Sequence, residues 1–417
     1  MSEPRRAVLE ALERFRRDSA WSRQVMNMLN RRHDLTGRDV ALAARLFYGV
    51  LQNLALCDYY IDCYAKGKLE PKVRDVLRLG VYQILFMDRI PVSAAVNESV
   101  SLCRKLGYAR AAGLVNAVLR RIGQDKDHLP QIPGEGTAEY LSICYSHPKW
   151  LVEELISLRG YEGAETVLKA NNQEPPVYIQ VNTCRTTPED LAEVLDIQPS
   201  PVGLILSREG DFTKTKAFQD GLFYVQDPAA HAAVEAAEIR PGMKVLDTCA
   251  APGGKSFAAA IAMGNEGTVV SRDILGKKLA LVAEGAERMG LDCITCQVGD
   301  ARDISGGDYD VVLADVPCSG LGVIRKKPDI RYRTETELST LPELQSELLE
   351  SIATAVRPGG RLVYSTCTWR EAENQGIVNA FLQEHPDFEK TLERTFWPDQ
   401  DGTDGFYVCR MERVKKI

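Results

Sequence analysis

The sequence predicts a multidomain chain of three parts. An all-α helical bundle occupies residues 1–138, a small α+β subdomain residues 139–220, and an α/β domain on a parallel sheet with helices on both faces residues 221–417. Three observations carry this reading. Apolar residues recur at spacings of three and four up to about residue 124, the signals mix between 139 and 220, and from 221 strand patterns alternate with helical ones.

In the first part, "DVALAARLFYGVLQNLALCDYYIDCY" and "EPKVRDVLRLGVYQILFMD" place their apolar residues on one helical face. Pro91 opens the next helix, "PVSAAVNESVSLCRKLG", and "ARAAGLVNAVLRRI" follows; these stripes are bundle core. "GQDKDHLPQIPGEG" gathers Gly, Pro and charge without periodicity and reads as a linker. Beyond it, "PKWLVEELISLRG" and "AETVLKANN" are helical, "VYIQVNT" and "GLILS" are strands, and "TPEDLAEVLD" is a short capped helix. The third part opens on "DPAAHAAVEAAEI", with Asp227 as N-cap and Pro228 at the first helical position. The strands "KVLDTCA", "GTVVSRDI", "CITCQVGD", "YDVVLADVP" and "RLVYSTC" follow, with helices such as "GKKLALVAEGAERMG" between them.

With 45% hydrophobic and 26% charged residues, the composition is that of a soluble globular chain. No apolar run approaches the ~20 residues of a membrane span, and the charged, amphipathic N-terminus lacks a signal peptide's apolar core. Eleven cysteines, an odd number scattered through apolar segments, read as reduced thiols in a cytoplasm rather than a disulfide framework. The net charge of −7 is unevenly spread: residues 1–140 hold 22 Lys+Arg against 16 Asp+Glu, the rest 29 against 42. A basic module fused to an acidic one points to a polyanionic partner for the first.

In a parallel sheet of this kind, ligands sit beyond the carboxyl ends of the strands. The first strand ends at Asp247 and runs into "CAAPGGKS", a Gly-rich turn in which Gly253 and Gly254 let backbone approach a ligand at a helix N-terminus. The second ends at Asp273, about twenty residues on, where nucleoside-cofactor folds place a ribose-binding carboxylate. The third ends near Asp300, the fourth at Asp315 with Pro317 and Cys318, the fifth at Cys367. Helix capping explains one such acid but not four in succession. A phosphate-binding P-loop is the rival reading of "APGGKS", yet that motif needs its first glycine where Cys249 stands. Cys293 and Cys296 resemble half a zinc site without a second half, so no metal is expected.

A nucleoside cofactor, two thiols and an Asp suit methylation of cytosine carbon 5. That carbon is a poor nucleophile until a thiolate adds at carbon 6, after which it can attack the methyl of S-adenosyl-L-methionine. An acid that holds the ring at N3 assists addition, and a second thiol can assist release. Chemistry alone leaves open which thiol attacks.

The motifs "LDTCAAPGGKS", "DVPCSGLGVIRKKPDIRYR" and "LVYSTCTWREAENQ" resemble the signatures of the RNA (cytosine-5)-methyltransferases, the RsmB/Nop/Sun family. "RRHDLTGRDVALAARLFYGVLQN", "LRLGVYQILFMDRIPVSAAVNESVSLCRK" and "GLVNAVLRRI" are similar to a NusB-like helical domain, which sets apart the branch acting on bacterial small-subunit ribosomal RNA. The resemblance spans nearly the whole chain. It implies a Rossmann-like catalytic domain in which Cys249, Ala250, Ala251, Pro252, Gly253, Gly254 and Lys255 line the methionine and ribose of the cofactor. It implies further that Asp273 holds the ribose hydroxyls, Asp300 lies near the adenine and Asp315 meets the cytosine edge beside the methyl donor. Cys367 is then the nucleophile and Cys318 the aid to release. The enzyme is expected to be cytoplasmic and monomeric, with 16S ribosomal RNA as partner and no membrane. "ENQ" (Glu373 to Gln375) and Cys409 depart from the family pattern without touching a motif role. Finally, "IRKKPDIRYR" puts Arg325, Lys326, Lys327 and Arg331 just after the Cys318 loop, where they are expected to neutralise RNA phosphates.

Overall fold

The computed structural model describes residues 3–18, 22–197, 199–200, 203–206, 212–304 and 306–414. The chain divides into two compact units: Met1–Gln173 with Lys327–Arg333, and Glu174–Lys326 with Thr334–Ile417. No single described helix is long and apolar enough to cross a membrane.

The first unit is helical: Glu3–Asp18, Ser22–Arg32, Arg38–Gln52, Leu54–Tyr64, Pro71–Phe86, Val92–Lys105, Ala112–Gln124, Ala138–Tyr145 and Lys149–Asn172. The apolar stripes close one core, in which Leu46, Phe47, Leu77, Leu79 and Leu119 are fully buried. Charge inside it is paired, with Asp75 at 2.8 Å from Arg78 and 3.3 Å from Arg16. Gly160, at φ +71, breaks the last helix where the sequence separates two helical patterns.

This unit runs past the expected boundary at 138. The Leu56 N–H donates to Ser146 Oγ at 3.1 Å, and Tyr59 Oη donates to the Gln131 carbonyl at 2.5 Å, so the linker and the end of the helix Ala138–Tyr145 are tied to the bundle. Lys327–Arg333 belongs to it as well. Arg331 is fully buried and donates to the carbonyls of Gln52 (2.9 Å) and Ser146 (3.1 Å). The Tyr332 hydroxyl donates to the Leu51 carbonyl, and its ring meets Phe15 edge-on at 5.5 Å.

The second unit holds two sheets. β1 (Val177–Val181), β2 (Pro199–Ser200), β3 (Gly203–Leu206) and β4 (Phe223–Val225) form an antiparallel sheet in the order β2-β3-β1-β4. Its last strand lies beyond the expected limit at 220. The Thr187 hydroxyl accepts from the Asp190 N–H at 3.1 Å and caps the helix Pro188–Leu195 over this sheet.

The larger sheet contains β5 (Lys244–Asp247), β6 (Thr268–Asp273), β7 (Ile294–Val298), β8 (Tyr309–Asp315), β9 (Val356–Thr366), β10 (Phe388–Phe396) and β11 (Phe406–Arg413), in the order β10-β11-β9-β8-β5-β6-β7. β7, β6, β5, β8 and β9 are parallel. Along β8, Val311 and Leu313 join the core of one face and Val312 and Ala314 that of the other, which is why the strand reads as an unbroken apolar run. The sheet is mixed rather than wholly parallel, because β10 and β11 add an antiparallel hairpin at one edge. Asp227 caps the helix Pro228–Ala236 as expected, accepting from the Ala229 N–H at 3.1 Å. The strand order reverses between β5 and β8, which locates a crevice at their carboxyl ends.

Candidate active site

Asp247 ends β5 and is fully buried. Its Oδ2 accepts from Ser256 Oγ at 2.7 Å, and Ser256 Oγ in turn accepts from Ser271 Oγ at 2.7 Å. Its Oδ1 has no partner of hydrogen-bonding geometry. Burial, with help from the nearby Asp315 charge, pushes the carboxyl up to about 6 against the lowering pull of Ser256, Lys255 and the Cys249 N–H. The chain then turns under β6. The Ala250 N–H donates to the Arg272 carbonyl at 2.9 Å and the Ala251 N–H to Asp273 Oδ2 at 3.3 Å. Gly253 has φ +114, and a Cβ there would lie 2.4 Å from the Phe257 ring, so the turn requires glycine. The helix Gly254–Ala262 follows with no side chain capping its N-terminal N–H groups. Burial pushes the Cys249 thiol up to about 12, which leaves it an inert packing group.

Asp273 is half-buried at the end of β6, its Oδ1 accepting from the Leu275 N–H at 2.9 Å. Asp300 follows β7 and is ion-paired to Arg302 at 2.6 Å. Hydrogen bonds from the Arg302 side chain and backbone hold its carboxyl below the usual carboxylate range. Asp315 closes β8, with Lys255 Nζ at 2.7 Å from its Oδ2 and Ser365 Oγ donating to its Oδ1 at 2.9 Å. A cleft of ≈ 570 Å³ runs from Asp247, Lys255 and Asp315 past Tyr224 to Leu281 and Arg288.

Cys318 and Cys367, 49 residues apart, bring their sulfurs within 3.3 Å. Two strand ends produce this, because β8 and β9 are parallel neighbours paired Asp315 to Ser365. The loops beyond them are stitched together: the Val316 N–H donates to the Ser365 carbonyl (3.2 Å) and the Gly322 N–H to the Cys367 carbonyl (3.0 Å). The hydrogen bond to Cys367 and then burial hold the Cys318 proton well above the ordinary thiol range.

Sequence reasoning passed over the residues beneath this pair. Glu373 is fully buried and its Oε2 accepts from the Ser319 N–H (2.8 Å) and Gln345 Nε2 (3.0 Å), while Gln345 also donates to the Pro317 carbonyl. Asn374 accepts from Thr366 Oγ1 at 2.6 Å and donates to the Thr368 carbonyl at 3.0 Å. "ENQ" therefore does touch a motif role, since it carries both cysteine loops. A Glu-Asn pair soon after the second thiol was the available signal.

The basic run is corrected. Arg325 and Arg331 are buried, and Lys326 is held at 2.7 Å from Asp227 and 2.6 Å from Asp404. Arg325 pairs with Asp404 at 3.2 Å, and Arg331 serves backbone carbonyls of the helical unit. These cations are spent on internal acceptors, the carboxylates of Asp227 and Asp404 and the carbonyls of Gln52 and Ser146. Lys327 alone of the four is exposed and enters no ion pair among the described residues. Cys293 and Cys296 lie beside and on β7, and no three potential metal ligands converge among the described residues.

Comparison with known proteins decides the family. Residues 235–412 match the family of 16S rRNA methyltransferase RsmB/F, residues 2–124 the NusB family, and residues 147–208 the ferredoxin-like domain of RsmF/B-like methyltransferases. A probable ribosomal RNA small subunit methyltransferase B of Bacillus subtilis is 35% identical over 97% of this chain and 98% of its own length. The chain belongs to the RsmB/F family of rRNA methyltransferases. The ribosomal RNA small subunit methyltransferase B of Erwinia tasmaniensis, 32% identical over 90% of both chains, is a further RsmB/F relative. The crystal structure of PH0851 matches over 99% of both chains with TM-score 0.80 and 26% identity. NSun6 from Pyrococcus horikoshii, solved with SFG, shares the fold over 64% of this chain and 99% of its own, with TM-score 0.60 and 22% identity. This RsmB/F member is an S-adenosylmethionine-dependent ribosomal RNA methyltransferase whose three parts are a NusB-type helical domain, a small ferredoxin-like domain and a Rossmann-like domain.

Proposed function

We propose that this enzyme methylates carbon 5 of a cytosine in small-subunit ribosomal RNA through a covalent bond between Cys367 Sγ and carbon 6. The observation that carries the reading is the pair of thiols 3.3 Å apart, next to a carboxylate held by Lys255 and Ser365. The residues around the Gly-rich turn suit S-adenosylmethionine. An uncapped helix N-terminus, the orphaned Asp247 oxygen and the Asp273 carboxylate offer partners for its carboxylate, ammonium and ribose. When bound, it supplies an electrophilic methyl group. Cys249 to Lys255 and Asp273 are the residues proposed to hold it, with Asp300 beside the base.

Cys367 adds to carbon 6 and makes carbon 5 nucleophilic. Asp315 is proposed to steady the ring edge, its own position fixed from two sides. Once carbon 5 carries the methyl, its proton has to leave so that the bond to Cys367 can break. Cys318 is assigned to that release: with its own proton given up to solvent, its thiolate takes the carbon-5 proton, the C5–H electron pair forms the C5=C6 bond, and the C6–S bond breaks to return the Cys367 thiolate. Giving attack to Cys367 and release to Cys318 follows the resemblance of "YSTCTW" and "DVPCSG" to the family's signatures.

The two alanine variants test this. Cys367→Ala should lose both methyl transfer and covalent complex. Cys318→Ala should attack, transfer the methyl and stall, leaving RNA attached in a denaturant-resistant band that forms only with S-adenosylmethionine. A trapped band from Cys367→Ala and none from Cys318→Ala would reverse the roles; normal turnover by Cys318→Ala would remove it from the chemistry.

A further inference from the structure

Two adjacent helices of the helical unit, Val92–Lys105 and Ala112–Gln124, border a groove of ≈ 530 Å³ that the reaction does not use. Asn97, Arg104 and Lys105 stand on one wall, Gly113 and Asn116 on the other, and a second depression shares Asn97 and continues to Arg120. Between Val92 and Gln124 the chain holds five Lys and Arg residues and one carboxylate. That carboxylate, Glu98, lies close enough to the buried Arg5 to act on it. Arg121 is paired with Asp125 at 3.0 Å. Arg104, Lys105, Arg110 and Arg120 are exposed and enter no ion pair among the described residues, and Arg120 Nε donates to a neutral amide, Asn116 Oδ1, at 3.0 Å.

The groove is open down to the backbone. A Cβ at Gly113 would meet nothing within 4 Å, whereas at Gly123 it would lie 2.4 Å from Val92, so there is room beside Gly113 that is lacking beside Gly123. Cations without carboxylate partners among the described residues, flanked by amides that can donate and accept, are what phosphate and ribose groups require. The contrast with Arg325, Lys326 and Arg331 is direct: those are consumed inside the protein, these are not.

We propose that this groove docks the backbone of the ribosomal RNA substrate, with phosphates at Arg104, Lys105 and Arg120 and riboses at Asn97 and Asn116. The inference rests on RNA being the substrate and adds where the strand is held. Each phosphate contact steepens the dependence of log affinity on log salt by ~0.7 for single strands and ~0.9 for duplex. Removing three cations should therefore flatten that slope by about 2 and weaken binding at low salt by about tenfold or more.

The test uses the full chain and a small-subunit ribosomal RNA transcript. One variant combines R104Q, K105Q and R120Q; the other is Gly113→Glu, which adds a carboxylate at the groove wall where a Cβ meets nothing within 4 Å, with a better helix former. Both should bind the transcript more weakly and with a shallower salt slope, while their affinity for S-adenosylmethionine by calorimetry stays that of the parent. If the triple variant also loses cofactor binding, Gly113→Glu alone decides. Parental RNA affinity and slope in Gly113→Glu would overturn the proposal and turn the groove over to an acidic protein partner. Methyl transfer by the parent to the same transcript is scored separately, so failure of the catalytic reading and failure of the groove are told apart.

Discussion

Asp247→Asn isolates the cost of keeping a carboxylate under the Gly-rich turn. The carboxyl is raised from 3.8 to about 6, chiefly by burial. Between those values the folded protein holds a proton that the unfolded chain has released, so stability falls as pH rises through the window and is level above it. Two units at ~1.4 kcal/mol each give about 3 kcal/mol in full, of which about 2 kcal/mol develops between pH 4.5 and 7.5. The asparagine keeps the acceptor for Ser256 and carries no charge at either pH. Its amide, set where Oδ1 lacks a partner, costs about 1–3 kcal/mol, but equally at both pH values. Urea unfolding of the cofactor-free chain at the two pH values reads the difference directly. The variant should gain about 2 kcal/mol on its parent from pH 4.5 to 7.5 while losing affinity for S-adenosylmethionine, a site held at the expense of stability. A stability difference that is the same at both pH values would refute the argument.

Asp273→Ala should weaken cofactor affinity about tenfold or more, since charge-assisted hydrogen bonds contribute roughly 1.5–3 kcal/mol each; unchanged affinity by calorimetry in a folded variant would remove Asp273 from the site. Arg331→Met should lower the thermal midpoint, because the buried carbonyls of Gln52 and Ser146 lose their donor at about 1–3 kcal/mol each, partly offset by no longer burying a cation that burial pushes down to about 10. The salt dependence of RNA binding should not change, and a shallower slope in Arg331→Met would return that residue to the RNA.

The chain's own pattern was sufficient for the layers and for the edge of the sheet that matters. Strands of a parallel sheet all end on the same side, so the acids after β5, β6, β7 and β8 and the thiols after β8 and β9 could be placed along one edge of the sheet from the sequence. Local signals also sufficed for caps such as Asp227 and Thr187, where donor and acceptor are two or three residues apart. The edge hairpin was less legible, since β10 and β11 carry charged residues on a half-exposed face and no helix separates them.

What the tertiary structure alone decided concerns groups whose partners are remote in sequence. A run of Arg and Lys reads as a phosphate-binding loop until Arg331 is found on a carbonyl 279 residues away and Lys326 between carboxylates 99 and 78 residues away. Glu373 carries no motif role in the sequence reading until its carboxylate is found under the Cys318 loop, 54 residues back. Periodicity reports which face of an element is apolar and where the element ends. Whether a charge is spent inside the protein or left for a ligand depends on contacts brought together by the fold, and those leave no periodic trace in the chain.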